Sequence, residues 1–339
     1  MKLYGAIDLH SNNSVVVLLD EQDRVVYERR LPNDLSVILG HLAPYRNNVQ
    51  AIAVESTYNW YWLVDGLMEA DYEVKLVNTV AVKIYDGMKY TGDEHDARHL
   101  AHLLRLGILP TGYIYPKAER AVRDVLRKRG QLVRTRTAQL LSIGNLVARN
   151  SGQPISAEEI RGLKDDQWDL LCNGNASRLL AIQSGRTVLR CLDEQIMLLE
   201  KAVLRQAKMK PAFEKILTID GIGKILGMTI MYETGMPERF KKVGCFASYA
   251  RCVDSQRFSN GKKKGSGNSK NGNKYLAWAF VEAAHHATRH NEKIRRFYER
   301  KKAKRNTTVA VKAVAHKLAR ACFHVLKDQV PFDVERAFS

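Results

Sequence analysis

Acidic side chains crowd one short stretch of the sequence, "YTGDEHDARHLA" at residues 90–101. Asp93 and Asp96 lie three residues apart where a helical pattern begins, so both would share one face of that helix. One interpretation is a helix start, with Asp93 as the N-cap and Asp96 at the third helical position, as in a capping box. The other is half of a metal site, because two carboxylates on one face can both reach a divalent cation.

The metal interpretation needs partners, and two acids in apolar strands supply them. Asp8 lies in "AIDLH" and Glu55 in "AVEST", where an acid is costly to bury unless something pairs with it. Asp8, Glu55, Asp93 and Asp96 together would repel one another, and divalent cations relieve that repulsion. Oxygen-rich sites suit Mg²⁺ or Mn²⁺, and two such ions can promote phosphodiester chemistry. The alternative is that the strand acids are salt-bridged and the helix acids are caps.

Short strands and helices must position these acids. Strands are predicted at 3–9, 14–20, 24–30, 49–55 and 72–78, and helices near 34–43 and 60–70. This order is typical of an α/β, ribonuclease H-like fold, in which a three-stranded meander is extended by parallel strands. The first and fourth strands of such a sheet are neighbours, so Asp8 and Glu55 would project near the same edge. The helix beginning at Asp93 would pack across that place.

The sequence becomes helical from about residue 117. Residues 117–149 and 176–209 predict two long helices, which would form either a coiled-coil arm or an ordinary antiparallel hairpin. After Pro211, Gly221 and Gly223 form a Gly-x-Gly turn between short apolar helices, similar to a helix-hairpin-helix that offers amides to a phosphate. We expect three parts: a catalytic domain with trailing helices at 1–150, a helical arm at 151–210 and a mainly helical domain at 211–339.

Charge points to a polyanionic partner. The 339 residues include 54 Lys and Arg against 36 Asp and Glu, a net charge of +18, and DNA or RNA is the usual partner of such a protein. Five cysteines without a CxxC pair argue against a disulfide framework or a structural zinc site. The sequence starts without a long apolar segment and has no membrane-spanning run, so we expect a cytoplasmic, nucleoid-associated protein.

Two segments concentrate the positive charge. Residues 257–274 hold six Lys and Arg and no acid among many Gly, Asn and Ser, and residues 293–305 hold eight Lys and Arg and one acid. Such side chains can contact phosphates without reading sequence. The predicted nucleic-acid contacts are Lys262, Lys263, Lys264, Lys270, Lys274, Arg295, Arg296, Lys301 and Lys302. The alternative is a merely solvated charge run.

The chain resembles the DEDD transposases of insertion sequences. The N-terminal half carries the resemblance through Asp8 in "IDLH", Glu55 in "VEST", and Asp93 and Asp96 in "GDEHDARHLA". The C-terminal half carries it through "GIGKILGMTI", "FASYARCV" and "SNGKKKGSGNSKNGNKYLAWAFVEAA". The resemblance implies a RuvC-like, ribonuclease H-like N-terminal domain that binds Mg²⁺ or Mn²⁺ at the four acids. It also implies a C-terminal transposase domain that contributes a serine.

In that family a serine of a Ser-Gly element is a proposed nucleophile, and Ser259 in "RFSNGKKKG" matches it best. This sequence has Asn260 where a Gly is common, so Ser255, Ser266 and Ser269 stay open as alternatives. A serine hydroxyl needs a base or a metal to become a good nucleophile, and Asp254 is a nearby candidate base. A polar residue in a flexible basic loop is the competing interpretation of Ser259.

The resemblance also implies partners. Members of the family are guided by a structured bridge RNA that pairs with donor and target DNA, and strand exchange implies a dimer or tetramer. Delegating specificity to base pairing would explain why no helix-turn-helix is recognisable. The prediction is a DNA transposase or recombinase. Its rivals are a metal-dependent, junction-resolvase-like nuclease that uses water, and a non-enzymatic basic nucleic-acid-binding protein.

Overall fold

The computed structural model describes residues 1–88, 92–253, 256–266 and 271–339, without the side chains of residues 86–88, 93, 94, 256–258, 263 and 266. The chain divides into two compact units, Met1–Lys117 and Ala118–Ser339. The division into three parts with boundaries at 150 and 210 stays a prediction.

A five-stranded mixed sheet organises the first unit. Its strands are β1 Leu3–Leu9, β2 Asn13–Leu19, β3 Val25–Pro32, β4 Val49–Glu55 and β5 Val74–Val77. Their spatial order is β3-β2-β1-β4-β5; the first three strands pair antiparallel, while β1 pairs with β4 and β4 with β5 in parallel. The predicted meander extended by parallel strands is confirmed, and the topology is consistent with a ribonuclease H-like fold.

Helices cover both faces of this sheet. Two helices, α1 Leu35–Leu42 and α2 Tyr61–Glu69, pack through Ile38, Leu63 and Leu67 on the face that carries Ile7 and Val54. The opposite face, which carries Ala6 and Ala53, is covered by α3 Asp93–Arg105 through Ala97, Leu100 and Ala101. Because both faces are covered, the sequences of β1 and β2 are nearly continuous apolar runs. A short 3₁₀ helix, Val82–Met88, precedes α3.

The second unit is mainly helical. Its helices are α4 Lys117–Ser151, α5 Ala157–Gly162, α6 Asp165–Leu171, α7 Ala176–Ala207, α8 Pro211–Leu217, α9 Lys224–Thr234, α10 Val243–Tyr249, α11 Lys274–His290, α12 Glu292–Lys304, α13 Thr307–Asp328 and α14 Val334–Ala337. A two-stranded hairpin, β6 Gln256–Ser259 and β7 Lys262–Ser266, lies between α10 and α11. The core forms where α9, α10, α11 and α13 meet around Phe246 and Phe280.

The two long helices run antiparallel. Arg129 of α4 pairs with Glu200 of α7 at 2.7 Å, and Arg136 pairs with Asp193 at 2.9 Å. The residue numbers of the partners fall along α7 as they rise along α4, which is the pattern of antiparallel helices. Near the far end, Ile143, Trp168 and Ile182 join α4, α6 and α7 in a separate apolar cluster. The two helices therefore form an antiparallel hairpin, and its role as a coiled-coil arm stays a prediction. The helices α5 and α6 were not anticipated from the sequence.

Gly221 has a packing role in the turn between α8 and α9. Its φ of +83° favours glycine, and a Cβ there would collide with the backbone of α11 at Ala283 and Ala287. The two predicted short helices are present on either side. Phosphate binding by this turn stays a prediction.

Candidate active site

Two of the predicted acids lie at the ends of adjacent strands. In the parallel pair β1–β4, Ile7 lies opposite Val54, so Asp8 and Glu55 are the next residues on strands that lie about 4.8 Å apart. Asp8 is only 3% exposed, and Glu55 is half-buried. The strand pattern thus brings the two carboxylates to the same end of the sheet.

Strand alternation puts both acids on the face that α3 covers. Ala6 and Ala53, each two residues before an acid, pack against Ala97 and Ala101 of α3. Because successive side chains alternate between faces, Asp8 and Glu55 lie on that same side. The predicted neighbourhood of strand acids and helix start is therefore present.

The start of α3 differs from the capping interpretation. Gly92 is the N-cap, with φ 127° and ψ 148°, and Asp93 is the first helical residue. The backbone N–H of Asp96 donates to the Gly92 carbonyl at 2.9 Å, so Asp96 is the fourth helical residue and not the third. The capping interpretation, with Asp93 as the N-cap, is wrong by one residue, because Gly92 occupies the N-cap position.

A cleft of about 200 Å³ joins the strand ends to α3. It is lined by Glu55 and Thr79 on the sheet side, by Lys83, and by Asp96 and His99 of α3. Lys83 is exposed and adds a positive charge to an acidic cleft. The combination of carboxylates with one cation suits a phosphate that approaches together with a metal ion.

Two histidines near the acids were missed from the sequence. The His10 Nε2 atom lies 3.3 Å from Asp8 Oδ2, and His99, 7% exposed, lies one turn after Asp96 on α3. Their spacings, Asp8 to His10 and Asp96 to His99, were the available signals. An imidazole beside a carboxylate can hold or move a proton near a reacting oxygen.

The four acids are only partly brought together. Glu55 and Asp96 share the cleft, Asp8 contacts His10, and the Asp93 side chain lies outside the described residues. Among the side chains that the structure describes, no three or more His, Cys, Asp or Glu groups lie close enough to hold a metal ion. In donor chemistry the residues fit a hard cation, since carboxylate oxygens are the ligands that Mg²⁺ prefers.

Ser259 lies on a hairpin and not in an irregular loop. It ends β6 and pairs with Lys262, and between them Asn260 and Gly261 adopt φ values of 49° and 70°. Positive φ at both central residues is the signature of a type I′ turn, for which Asn-Gly is the preferred pair. The structure therefore has a β-hairpin where the sequence analysis placed a loop. The "SNGK" sequence was the missed signal, hidden among lysines and glycines that suggested a solvated run.

The hairpin exposes Ser259 together with basic side chains. Ser259, Lys262 and Lys264 are exposed, as is Lys274 at the start of α11. The Lys263 and Ser266 side chains lie outside the described residues, as do Lys270, Asp254, Ser255 and Ser269. An exposed hydroxyl among lysines can approach a phosphodiester, because the cations draw the backbone in.

The predicted cations of α12 are exposed too. Arg295, Arg296, Lys301 and Lys302 all face solvent, although Arg296 pairs with Glu292 at 2.5 Å and Lys302 with Glu299 at 3.8 Å. Such exposed pairs within one helix contribute little stability and open readily. All four side chains are therefore accessible to a polyanion.

Comparison with known proteins gives three matches. A transposase family model of the DEDD IS110 type matches residues 6–149, and one described as "Transposase IS116/IS110/IS902 family" matches residues 213–299, together about two thirds of the chain. A Pseudomonas aeruginosa (PAO1) protein named "Probable family 20 transposase" is 24% identical over 250 residues, covering 69% of this chain and 70% of its own.

The chain belongs to the IS110 family of DEDD-type insertion-sequence transposases. It is therefore a DNA transposase, an enzyme of DNA recombination. The DEDD domain implies dependence on a divalent metal, typically Mg²⁺. In the described part of the transposase no helix is both long and apolar enough to cross a membrane.

A buried ionic network holds the chain at the start of α11, which follows the β6–β7 hairpin in sequence. Glu233 of α9, 1% exposed, accepts hydrogen bonds from Arg127 at 2.7 and 2.9 Å, from Arg123 at 3.2 Å and from Asn273 Nδ2 at 2.8 Å. Burial alone would raise the pKa of Glu233, but these hydrogen bonds and the two guanidinium charges hold the pKa below its ordinary value. The network joins α4, α9 and Asn273, the N-cap residue of α11, and sequence reasoning missed it.

Asn273 and Gly272 complete this anchor. The Asn273 side chain accepts from the backbone N–H groups of Tyr275 and Leu276, capping α11, while its own backbone N–H donates to the Tyr249 carbonyl at 2.6 Å. Gly272 has φ +86°, and a Cβ there would collide with the Tyr249 carbonyl. Residues 272–273 of this transposase are thus fixed to α10 and α11.

Proposed function

We propose that this transposase cuts and rejoins DNA strands at the four acids, with Ser259 as the nucleophile and a structured RNA as its guide. One observation carries the acid site: Asp8 and Glu55 follow directly on the paired residues Ile7 and Val54, on the face that α3 covers. Asp96 of that helix lines the same cleft as Glu55.

Asp8, Glu55, Asp93 and Asp96 would hold Mg²⁺ or Mn²⁺. When bound, the metal supplies Lewis-acid stabilisation of the charge that develops on phosphate oxygens. The lysine in the cleft, Lys83, would help to neutralise the entering phosphate, and His10 would orient the Asp8 carboxylate it contacts. These residues prepare a phosphodiester for attack without reading its sequence.

Ser259 would carry the covalent step. Its Oγ forms a bond to phosphorus, the bond from phosphorus to a deoxyribose oxygen breaks, and the serine proton ends on the released DNA hydroxyl. A hydroxyl of a second DNA strand then attacks the phosphoserine and joins the strands, and the serine regains its proton. Bond energy is conserved in each transfer, so the exchange needs no external energy source. The exposed hairpin position of Ser259 supports this role.

The basic surfaces would hold nucleic acid. Lys262, Lys263, Lys264, Lys270 and Lys274 would contact DNA phosphates near the serine. Arg295, Arg296, Lys301 and Lys302 of α12, together with the arginines of α4, would contact a bridge RNA that pairs with donor and target DNA. Exposure of the described side chains in this set supports the proposal.

The long hairpin of α4 and α7 would act as a coiled-coil arm that assembles a dimer or tetramer. One row of buried and half-buried residues along α7 has spacings that alternate between three and four residues, which is the spacing of a coiled coil. The row comprises Ile182, Gly185, Leu189, Leu192, Ile196, Leu199 and Val203. A second row with the same spacing is exposed and uncharged, at Ser184, Val188, Cys191, Gln195 and Leu198. Such a row supports helix association between copies.

Reconstitution of programmed recombination tests this proposal. The transposase is purified from cells that carry its mobile element, the bound RNA is sequenced, and the RNA segments predicted to pair with DNA are rewritten. We expect recombination to move to the rewritten target, and Ser259→Ala to abolish it. Cleavage without rejoining, unchanged in Ser259→Ala, would support the water-dependent nuclease instead. Binding without any cleavage would support the non-enzymatic alternative.

A further inference from the structure

A cavity of about 460 Å³ lies between α4, α9 and α11 in the second unit. It begins at Lys274 and Tyr275, directly after Gly272 and Asn273, which hold the start of α11. Gly130 and Arg134 of α4 line its opposite side. Apart from Lys274 and the arginines of α4, the proposed function uses none of its lining residues.

An exposed indole forms part of the cavity wall. Trp278 of α11 leaves 43% of its surface exposed, although a tryptophan in a helical unit with a large apolar core normally buries most of its ring. Tyr275 lies one turn before it, and Leu126 and Val133 of α4 line the same cavity. A flat ligand can therefore lie against the indole and displace water from apolar side chains.

The charge of the cavity is positive. Four cations line it, and the one lining acid among the described residues, Glu233, is buried and neutralised by two arginines. Arg129 pairs with Glu200, but no carboxylate of the described part of the chain forms an ion pair with Arg134 or Lys274. The cavity thus offers two available cations beside an aromatic surface, which fits an anionic ligand with a flat, apolar part.

Gly130 widens the cavity where helix stability does not favour glycine. It lies within the 35-residue helix α4, where glycine costs about 1 kcal/mol relative to alanine. Within the described residues, a Cβ at position 130 would meet only Arg134 Nη1, at 3.7 Å. The packing of the described residues therefore does not require glycine here, and the missing side chain leaves space in the cavity.

We propose that this cavity binds one unpaired nucleotide of a single-stranded nucleic acid. The base stacks on Trp278, and the neighbouring phosphates contact Arg134 and Lys274. Every base has a π-face, so stacking tolerates sequence, and cations along the strand supply affinity. A base in an intact duplex is already stacked, and it would have to be unstacked before entering. The inference rests on the proposed nucleic-acid function and adds where an unpaired nucleotide is held.

Photocrosslinking tests the site directly. A short oligouridylate containing 5-iodouridine is irradiated with the full-length transposase, and the crosslinked residue is identified by mass spectrometry. We expect the crosslink at Trp278. The same experiment is run in parallel with an oligothymidylate analogue and with an RNA duplex. Preference for the RNA strand assigns the site to RNA, preference for the DNA strand assigns it to DNA, and either result supports a single-strand site. Equal crosslinking of Trp278 to the duplex overturns it.

Binding of the same oligonucleotide to variants of the residues that line the cavity measures how much each residue contributes to affinity. We expect Trp278→Ala to weaken binding about tenfold, since stacking of one base contributes about 1–3 kcal/mol, and Trp278→Phe to retain most of it. Gly130→Leu should also weaken binding, because it fills the cavity while it favours the helix and removes no charge. Leu180→Ala, at an exposed apolar residue of α7, is the matched control and should bind normally.

Unchanged affinity in both Trp278→Ala and Gly130→Leu would overturn the inference. That failure is separate from failure of the proposed function, which concerns chemistry at the acids and at Ser259. A transposase that recombines DNA but forms no Trp278 crosslink would retain its proposed function and lose this site.

Discussion

At the scale of single residues, the proposed chemistry depends most on Ser259. Replacing its hydroxyl by hydrogen in Ser259→Ala removes the atom that would bond to phosphorus, and the variant should lose both the covalent protein–DNA species and strand exchange. Denaturing electrophoresis of a radiolabelled DNA substrate detects that species. Since Ser259 is exposed at a hairpin end, folding should be unaffected. A covalent species that persists in the variant would assign the nucleophile to another residue.

Glu233 is a second residue whose charge can be tested. Its pKa lies below the ordinary 4.5, so the unfolded chain takes up the proton first as pH falls. The stability that Glu233 contributes is therefore complete above about pH 4.5 and is lost as pH falls further, through the folded-state pKa. Urea unfolding at a series of pH values should show this loss in the wild type, and Glu233→Gln should lack it.

The same variant should be destabilised near neutral pH by about 3–5 kcal/mol, because two buried or half-buried arginines lose their carboxylate. Glu238→Gln changes an exposed acid of the same unit and serves as the control, with little expected effect. If Glu233→Gln unfolds at the wild-type urea concentration, the network does not stabilise the second unit.

At the scale of elements, the strands and long helices were predictable because each carries a repeated local signal. Apolar runs ended by turn residues located β1 to β5 to within two residues, and helical spacing located α4 and α7. The acids followed from their places at strand ends. Such signals act over a few residues and need no knowledge of tertiary contacts.

Elements that depend on one turn or on distant partners were not predictable. The β6–β7 hairpin depends on Asn260 and Gly261, whose turn signal was obscured by surrounding charge. Glu233 meets Arg123 and Asn273 across 110 and 40 residues of sequence, so no local pattern reveals the network. The capping interpretation placed the N-cap at Asp93 because aspartate is a preferred N-cap residue, whereas in the structure Gly92 takes that position.

The role of the β6–β7 hairpin in DNA binding can be tested through the salt dependence of DNA affinity. Replacing Lys262, Lys263 and Lys264 by Gln should flatten the dependence of DNA affinity on salt, with the log–log slope shrinking by about 0.9 for each phosphate that no longer meets a lysine. Fluorescence anisotropy with a labelled duplex at several salt concentrations measures the slope. Lys201→Gln, Lys208→Gln and Lys241→Gln together remove three charges at exposed lysines outside the hairpin and control for net charge. A slope equal to that of the wild type would mean that the hairpin lysines are only solvated.

At the scale of the whole molecule, binding and chemistry should be separable. The net charge of +18 would attract nucleic acid with or without a metal, whereas in the proposed function strand cleavage needs the acids to hold a metal ion. Chelation with EDTA should therefore stop cleavage and leave most DNA binding, and added Mg²⁺ should restore cleavage. Cleavage that continues in EDTA would contradict a metal-dependent site.

The most direct test of the acid site measures cleavage and binding together in Asp8→Asn and Asp96→Asn. Asn keeps the shape of each side chain and removes its charge, so metal binding should fail while the basic surfaces still hold DNA. Asp71→Asn is the matched control, at an exposed acid of the same unit whose φ of 58° asparagine tolerates. The account predicts no cleavage by either site variant, DNA binding close to wild type, and full activity of the control. Wild-type cleavage by Asp8→Asn and Asp96→Asn would contradict it.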